Sequence, residues 1–150
     1  MNTQKAIDQA EKSCLEHGVK LTPKRKLVLE ILLENRQPQS AYEIADLYQR
    51  KLDEKIPAMS VYRMLEFLIE QGLVHKLAST NKFMACSHIA CSHAHQAPQF
   101  LICDNCQSVS EVEIDTKLIQ ALEKSIRQNH FQLNSPQIEL HGLCEHCQTA

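Results

Sequence analysis

Apolar residues recur at helical spacing in four stretches of the first half of the chain, and residues that favour helix ends bound each stretch. The first stretch covers 3–17. Thr22 and Pro23 predict the start of the second helix, because Thr caps free backbone N–H groups and Pro suits the first helical position. Ser40 and Glu43 have the spacing of a capping box and predict the third. The pattern therefore indicates a helical start to the chain.

A fourth helix and a hairpin complete the first half of the pattern. Pro57 predicts the start of this helix and Gly72 its end. Two short β-prone runs, Leu73–Leu77 and Lys82–Ala85, are separated by four residues and predict a β-hairpin. Short helices followed by a hairpin are the order of a winged helix-turn-helix, in which the last helix enters the DNA major groove and the hairpin is the wing.

The second half alternates between strand and helix patterns. Strands are predicted at Phe100–Ile102, Ser108–Val112, Phe131–Leu133 and Ile138–His141, with a helix capped by Asp115 in between. A unit of about 50 residues has too little core of its own, so a bound metal and a second copy are expected to stabilise it. The predicted fold class is α+β. Its expected parts are a winged helix-turn-helix DNA-binding domain (1–82), a metal-binding hinge (83–97) and a small α/β dimerisation domain with a four-cysteine zinc site (98–150).

The composition is that of an ordinary globular chain, with 43% hydrophobic residues and a net charge of −2. Residues 1–82 hold 13 Lys and Arg against 11 Asp and Glu, whereas 83–150 hold 3 against 7. A mildly basic first half suits DNA contact, although a solvated surface explains it as well. The chain has no run of ~20 apolar residues and no pattern of a secretory signal at its start, so a cytoplasmic protein is expected.

Two C-x-x-C pairs are the strongest chemical signal. Cys103 and Cys106 form the first and Cys144 and Cys147 the second, with 37 residues between them. Each turn of this kind offers two thiolates to one edge of a tetrahedron, so two pairs complete a closed zinc site. The alternatives are two disulfides, which a reducing cytosol disfavours, and a thioredoxin-like redox pair, which needs only one C-x-x-C.

A second cluster of metal-ligand residue types lies between the hairpin and the first pair. The stretch 86–95, CSHIACSHAH, holds two cysteines and three histidines, and both thiolate and neutral imidazole suit zinc. His75 and Glu111 are placed to add ligands from either side of it. A site of His75, Cys86, a loop histidine and Glu111 would join the two halves of the chain. A histidine-rich loop with adventitious metal affinity is the alternative.

Candidate DNA contacts lie near the starts of two predicted helices. Tyr62 and Arg63 lie off the apolar face of the fourth helix, where a recognition helix reads bases. Arg binds guanine or phosphate, and a Tyr ring can lie against a thymine methyl or reach a phosphate with its hydroxyl. Lys24 and Arg25 open the second helix and suit phosphate contact. A half-packed tyrosine and ordinary surface charges are the alternatives.

Five segments together resemble marker sequences of the ferric uptake regulator family. They are Leu21–Arg25, Ser60–Leu65, Gln71–Val74, Phe100–Cys106 and His141–Cys147. Glu70–Lys76, Ser79–Asn81 and the cysteine at Cys86 are most similar to the zinc-responsive branch of that family. Iron sensors of the family typically carry several histidines before the first C-x-x-C, where this chain has a mixed Cys/His stretch. A sulfur ligand favours zinc over ferrous iron.

The resemblance implies a DNA-binding transcriptional repressor that responds to zinc and controls zinc uptake genes, with a ferrous iron- or peroxide-responsive repressor as the alternative. It implies a homodimer whose two winged helices read a palindromic operator in double-stranded DNA. It also implies two zinc ions per subunit. The structural zinc would lie on the four paired cysteines. The regulatory zinc, acting as corepressor, would lie on His75, Cys86, His95 and Glu111, with His93 as the fallback for His95.

An enzyme and a DNA-free interaction module are the alternatives from other classes. The chain contains no H-E-x-x-H, and no H-x-E followed by P-C-x-x-C. The general base that zinc hydrolysis requires is therefore missing, and no enzyme is expected. Replacement of Arg63 separates a repressor from an interaction module, because only a repressor has operator affinity to lose.

Overall fold

Four helices and a two-stranded hairpin form the first of two units in a computed structural model of the chain, which describes residues 2–89 and 98–149. The units are Met1–His93 and Ala94–Ala150. The elements of the first are α1 (Thr3–Glu16), α2 (Pro23–Glu34), α3 (Ala41–Leu52), α4 (Ala58–Glu70), β1 (Val74–Leu77) and β2 (Lys82–Ala85). The predicted helices and hairpin are confirmed. Pro57 is the N-cap of α4 and the helix begins one residue later.

The apolar faces of the four helices pack into one core, on which the hairpin closes. Val61 and Leu65 of α4 are fully buried there, and each such side chain contributes ~1.5–3 kcal/mol. Phe83 of β2 is also buried, and its backbone exchanges hydrogen bonds of 2.8 and 2.9 Å with Gln39. The ring of Tyr62 meets the ring of Phe83 edge-on, with centroids 6.3 Å apart. The core and the hairpin therefore hold α4 from two sides.

The start of α3 is the predicted capping box. The backbone N–H of Glu43 donates to Ser40 Oγ at 3.1 Å, and the backbone N–H of Ser40 donates to Glu43 Oε2 at 2.6 Å. The hydrogen bond from Ser40, together with the Lys82 ammonium 3.4 Å away, lowers the pKa of Glu43 below its usual range. Because Lys82 lies on β2, the same carboxylate caps α3 and pairs with the hairpin.

Glu43→Gln is expected to lower the free energy of unfolding at pH 7 by about 1 kcal/mol at most, since it weakens an exposed cap and removes an exposed ion pair. A carboxylate with a lowered pKa stabilises the fold above its unfolded value of about 4.3, and this stability is lost as pH falls through the folded value. The deficit of the variant should therefore be smaller at about pH 3 than at pH 7, as urea unfolding followed by circular dichroism would measure. A deficit of the same size at both pH values would contradict this account. Glu16→Gln, at the exposed end of α1, is the matched control and should show no deficit at either pH.

The second unit is a three-stranded sheet with two helices among its described residues. Its elements are β3 (Gln99–Cys103), β4 (Val109–Val112), α5 (Thr116–Gln128), β5 (Ile138–Gly142) and α6 (Glu145–Gln148). β3 is the central strand, antiparallel to β4 and parallel to β5. Asp115 caps α5 as predicted, with its carboxylate accepting from Lys117 N at 2.9 Å. The short helix α6, which contains Cys147 and has Cys144 as its N-cap residue, was not predicted because four residues are too few to show a period.

The predicted strand at Phe131–Leu133 is wrong. His130 adopts the left-handed conformation (φ 55°), and the Phe131 N–H turns back to donate to Ile126 O at 3.3 Å. The alternating apolar residues therefore follow the end of α5, and Phe131 is 63% exposed. Within the described ranges, 131–133 pair with no strand.

The finer division predicted from the sequence, with a hinge over 83–97, stays a prediction because 90–97 lie outside the described residues. Among the helices that the structure describes, none has the length and hydropathy needed to cross a membrane.

Candidate metal centres and DNA-binding face

The four paired cysteines meet at one end of the sheet of the second unit. Their sulfur atoms all lie within 4.8 Å of one another. Sulfurs bound to one zinc ion at about 2.3 Å in a tetrahedron are about 3.8 Å apart, and the sulfurs of Cys106 and Cys144 are separated by 3.7 Å. The spacing therefore fits a four-sulfur zinc site, as the two C-x-x-C pairs predict.

The parallel pairing of β3 with β5 brings the two C-x-x-C turns together. Cys103 ends β3 and lies opposite Gly142, the last residue of β5. Cys106 follows in the turn after β3, while Cys144 is the N-cap residue of α6 and is separated from the end of β5 by Leu143 alone. Because parallel strands end at the same edge of a sheet, both turns arrive at one place. The second pair thus lies at the start of a helix after a strand, which is the position of a thioredoxin-like redox pair. It shares its site with the first pair, however, as a four-cysteine zinc site requires.

Hydrogen bonds and neighbouring sulfurs shift the pKa values of Cys103, Cys106 and Cys147 in different directions. Backbone N–H groups of Cys106, Cys144 and Asn105 lower the pKa of Cys103 to about 6. The hydroxyl of Ser108, 3.1 Å from the sulfur, lowers the pKa of Cys106. The Asn105 amide lowers the pKa of Cys147, but the neighbouring sulfurs and burial together raise it to about 11. Four adjacent thiolates therefore require a cation, and metal binding supplies it with release of protons.

Three polar residues that are not among the candidates predicted from the sequence support the two cysteine turns. Asn105 Nδ2 donates to Cys147 Sγ at 3.3 Å, linking the two turns directly. Asp104 Oδ1 lies 2.8 Å from His141 Nδ1, and the Asp104 N–H donates to Gly142 O at 2.9 Å. Ser108 is the third. Their position in the sequence could have indicated two of them, because Asp104 and Asn105 are the residues between the first two cysteines.

The hairpin of the first unit brings together two of the predicted regulatory ligands. His75 lies on β1 and Cys86 directly follows β2, and their ligand atoms lie within 4.8 Å of each other. Cys86 is fully buried, and its backbone N–H donates to Leu73 O at 2.9 Å. The backbone N–H of His88 reaches the Cys86 sulfur at 3.4 Å. One nitrogen and one sulfur ligand of this kind suit zinc.

The other predicted ligands of that site belong to other parts of the chain. Glu111 is a residue of β4 in the second unit, where it lies opposite Phe100. His95, its fallback His93 and the neighbouring Cys91 lie outside the described residues. The complete ligand set stays a prediction.

The residues of α4 and α2 that are predicted to contact DNA differ in how strongly neighbouring side chains restrain them. Arg63 is exposed, whereas Tyr62 is half-buried against Phe83. Lys24 lies 3.7 Å from Glu54 in an exposed ion pair.

Arg25 is held more firmly than an ordinary surface charge. Its guanidinium lies over the ring of Phe67, 3.7 Å from the centroid, and Nη1 donates to Lys20 O at 3.0 Å. The side chain is therefore fixed at the start of α2, which limits the donors it has left for a phosphate. A role in DNA binding for these residues stays a prediction.

A winged helix-turn-helix in one unit and a four-cysteine centre in the other define the class, a DNA-binding regulator with a metal site. Residues 16–148 match the sequence model of the ferric uptake regulator family, and the chain belongs to this family. The family and the fold class predicted from the sequence are both confirmed.

Zinc uptake regulators are among the most similar known proteins. The zinc uptake regulation protein of Escherichia coli (strain K12) is 38% identical over 145 residues, which cover 97% of this chain and 82% of that protein. A zinc uptake regulator solved in complex with zinc and DNA is similar with a TM-score of 0.86 and 34% identity, covering 99% of this chain and 97% of that one. The crystal structure of holo XcZur gives a TM-score of 0.80 and 38% identity, covering 96% and 97%.

Proposed function

We propose that the chain is a zinc-responsive repressor that binds double-stranded operator DNA as a homodimer and controls zinc uptake genes. The observation that carries the proposal is similarity over nearly the full length to zinc uptake regulators, one of them solved with zinc and DNA. The winged helix-turn-helix supplies a DNA-reading helix, and the four-cysteine centre suits zinc. A repressor of this kind acts on chromosomal DNA, so we place it in the cytoplasm.

Two zinc ions per subunit have separate roles in this proposal. The four cysteines take one ion into a closed site, which stabilises the second unit and leaves no open position for regulation. His75, Cys86, His95 and Glu111 take the other, which acts as corepressor. A thiolate in this second set favours zinc over ferrous iron, the metal of the alternative repressor.

Zinc raises operator affinity only to the extent that it binds the DNA-competent state more tightly than the other state. A 100-fold increase in operator affinity requires a difference of about 2.7 kcal/mol.

Cys86→Ser is expected to reduce bound zinc from two ions to one per subunit and to abolish the zinc-dependent gain in DNA affinity, of the order of 100-fold. Zinc is counted by mass spectrometry of the desalted protein. Affinity is measured by fluorescence anisotropy at buffered zinc, on duplexes that the wild type selects from a random pool. Cys91→Ser is the matched control and should keep both ions. His95→Ala compared with His93→Ala identifies the loop ligand.

Equal DNA affinity of the wild type with and without regulatory zinc, while the structural zinc stays bound, would contradict the proposed function. Activation by Fe²⁺ at its cytosolic level, with no response to zinc, would instead support the iron-responsive alternative.

The apolar face of α5 supports the proposed homodimer. Leu118 and Leu122 lie one turn apart on this helix and are 62% and 42% exposed, and none of its residues is buried. Leu101 and Leu140 of the sheet are likewise about half exposed. A unit that leaves this much apolar surface in water gains stability when a second copy covers it. We therefore propose α5 as part of the dimer interface.

Leu122→Asp is expected to weaken dimerisation by about 10²- to 10⁴-fold, because a symmetric interface loses two buried leucines at ~1.5–3 kcal/mol each. Sedimentation velocity over a range of concentrations measures the change. Leu52→Asp, 51% exposed at the end of α3, is the matched control and should stay dimeric. A Leu122→Asp protein with the wild-type dissociation constant would remove α5 from the interface.

A further inference from the structure

We infer that Met59 is a specificity-determining residue whose side chain contacts the C5-methyl group of a thymine in the operator. The inference rests on the proposed function, since it takes α4 as the helix that reads DNA. Met59 lies in the first turn of α4 and is 64% exposed. A large apolar side chain in water at this place on a recognition helix suggests an apolar contact in the complex.

The geometry of α4 places Met59 on its outer side. Val61 and Leu68 are fully buried, and at about 100° per residue Met59 lies ~160–180° around the helix from both. Arg63 is also exposed and follows Met59 by four residues, so the two share one face at about 5–6 Å between their Cβ atoms. Met59 and Arg63 are therefore placed to address neighbouring base pairs.

The charges further along the same face confine DNA contact to the start of the helix. Glu66 and Glu70 continue the outer face beyond Arg63, and both are exposed. Carboxylates gain nothing from the phosphate backbone and are repelled by it. A recognition helix reads base edges with its N-terminal residues, and on α4 the exposed residues of that kind are Met59 and Arg63.

The chemistry of methionine limits what it can read. The thioether donates no hydrogen bond and accepts only weakly, so Met59 cannot recognise the polar edges of guanine, cytosine or adenine. The thymine methyl is the apolar feature of the major groove, and a flexible, polarisable side chain suits contact with it. Tyr62, the other candidate for this contact, already has its ring against Phe83. Met59 is therefore the better placed of the two.

Removal of single methyl groups from the DNA tests the contact. The zinc-loaded full-length protein selects duplexes from a random pool, and each thymine of a selected half-site is then replaced by deoxyuridine, which lacks only the methyl. At one position the wild type should lose about fourfold in affinity, the equivalent of one CH₂ leaving an apolar contact. Met59→Ala should bind the unmodified duplex more weakly and show no further loss at that position. Met59→Leu should restore the methyl dependence.

Leu15→Ala, 72% exposed on α1, is the control for loss of an exposed apolar side chain and should keep the wild-type profile. If Met59→Ala and the wild type lose the same affinity at every deoxyuridine, the inference is wrong and the proposed function stands. If the wild type selects no sequence at any zinc concentration, the proposed function fails and the inference fails with it. The two failures are thus distinguishable.

Discussion

Cys103→Ala is expected to cost the protein one zinc ion per subunit and the cooperative folding of its second unit. Structural zinc sites contribute about 10–16 kcal/mol of binding free energy in small zinc-dependent peptides. The second unit has little else to replace it, since Gln99, Phe100, Ile102 and Cys103 are the buried residues among its described part. The loss of one sulfur ligand also leaves three thiols without a complete site.

Hydrogen exchange and zinc content measure this effect together. Amide protection should collapse over β3, β4 and β5 and remain over α2 to α4 of the first unit. Cys14→Ala is the matched control, because it removes a buried thiol from the first unit and should leave zinc content unchanged. A Cys103→Ala protein that keeps full zinc content and full protection would show that the four-cysteine centre is not structural.

Arg63→Ala is expected to lower operator affinity by about 30-fold or more without loss of fold or zinc. Arg63 is exposed and makes no contribution to the core, so its removal leaves α4 intact. A bidentate arginine–guanine contact contributes about 1–3 kcal/mol, and a dimer on a palindrome loses two of them. Anisotropy titrations at constant zinc and salt measure the loss, since phosphate contacts make affinity depend on salt.

Arg50→Ala is the matched control, because Arg50 is an exposed arginine near the end of α3 in the same unit. It should bind operator as the wild type does. If Arg63→Ala retains wild-type affinity and sequence preference, α4 is not the reading helix. If neither the wild type nor any variant binds DNA, the chain is an interaction module instead.

The local features of the fold were predictable because their signals lie within a few residues of one another. The Ser40–Glu43 box, the Thr22 cap and the Asp115 cap all form as predicted, since each concerns one turn of helix. The four-cysteine centre was predictable for a similar reason, as each C-x-x-C is a local turn with a fixed geometry.

Contacts between distant segments were not predictable. The strand-like runs before the two cysteine pairs predict that a sheet brings their turns together, but nothing in either strand indicates that β3 pairs directly and in parallel with β5. The sequence predicts that Arg25 is free to bind a DNA phosphate. In the fold, its guanidinium lies over the ring of Phe67, 42 residues further along the chain. The wrong strand prediction at Phe131–Leu133 has the same cause. Alternating apolar and polar residues predict a strand, but they do not indicate whether a neighbouring strand is available to pair with it.

The hairpin has a consequence for how such proteins could be recombined. It carries His75 on one strand and Cys86 directly after the other, and between them in sequence Phe83 contacts Tyr62 of the proposed DNA-reading helix. A chimaera that receives α4 with its supporting hairpin from this chain therefore also receives two of the proposed regulatory ligands. DNA preference and metal response would then be transferred together. A designer who wants to change only one of them must redesign the hairpin so that the other is retained.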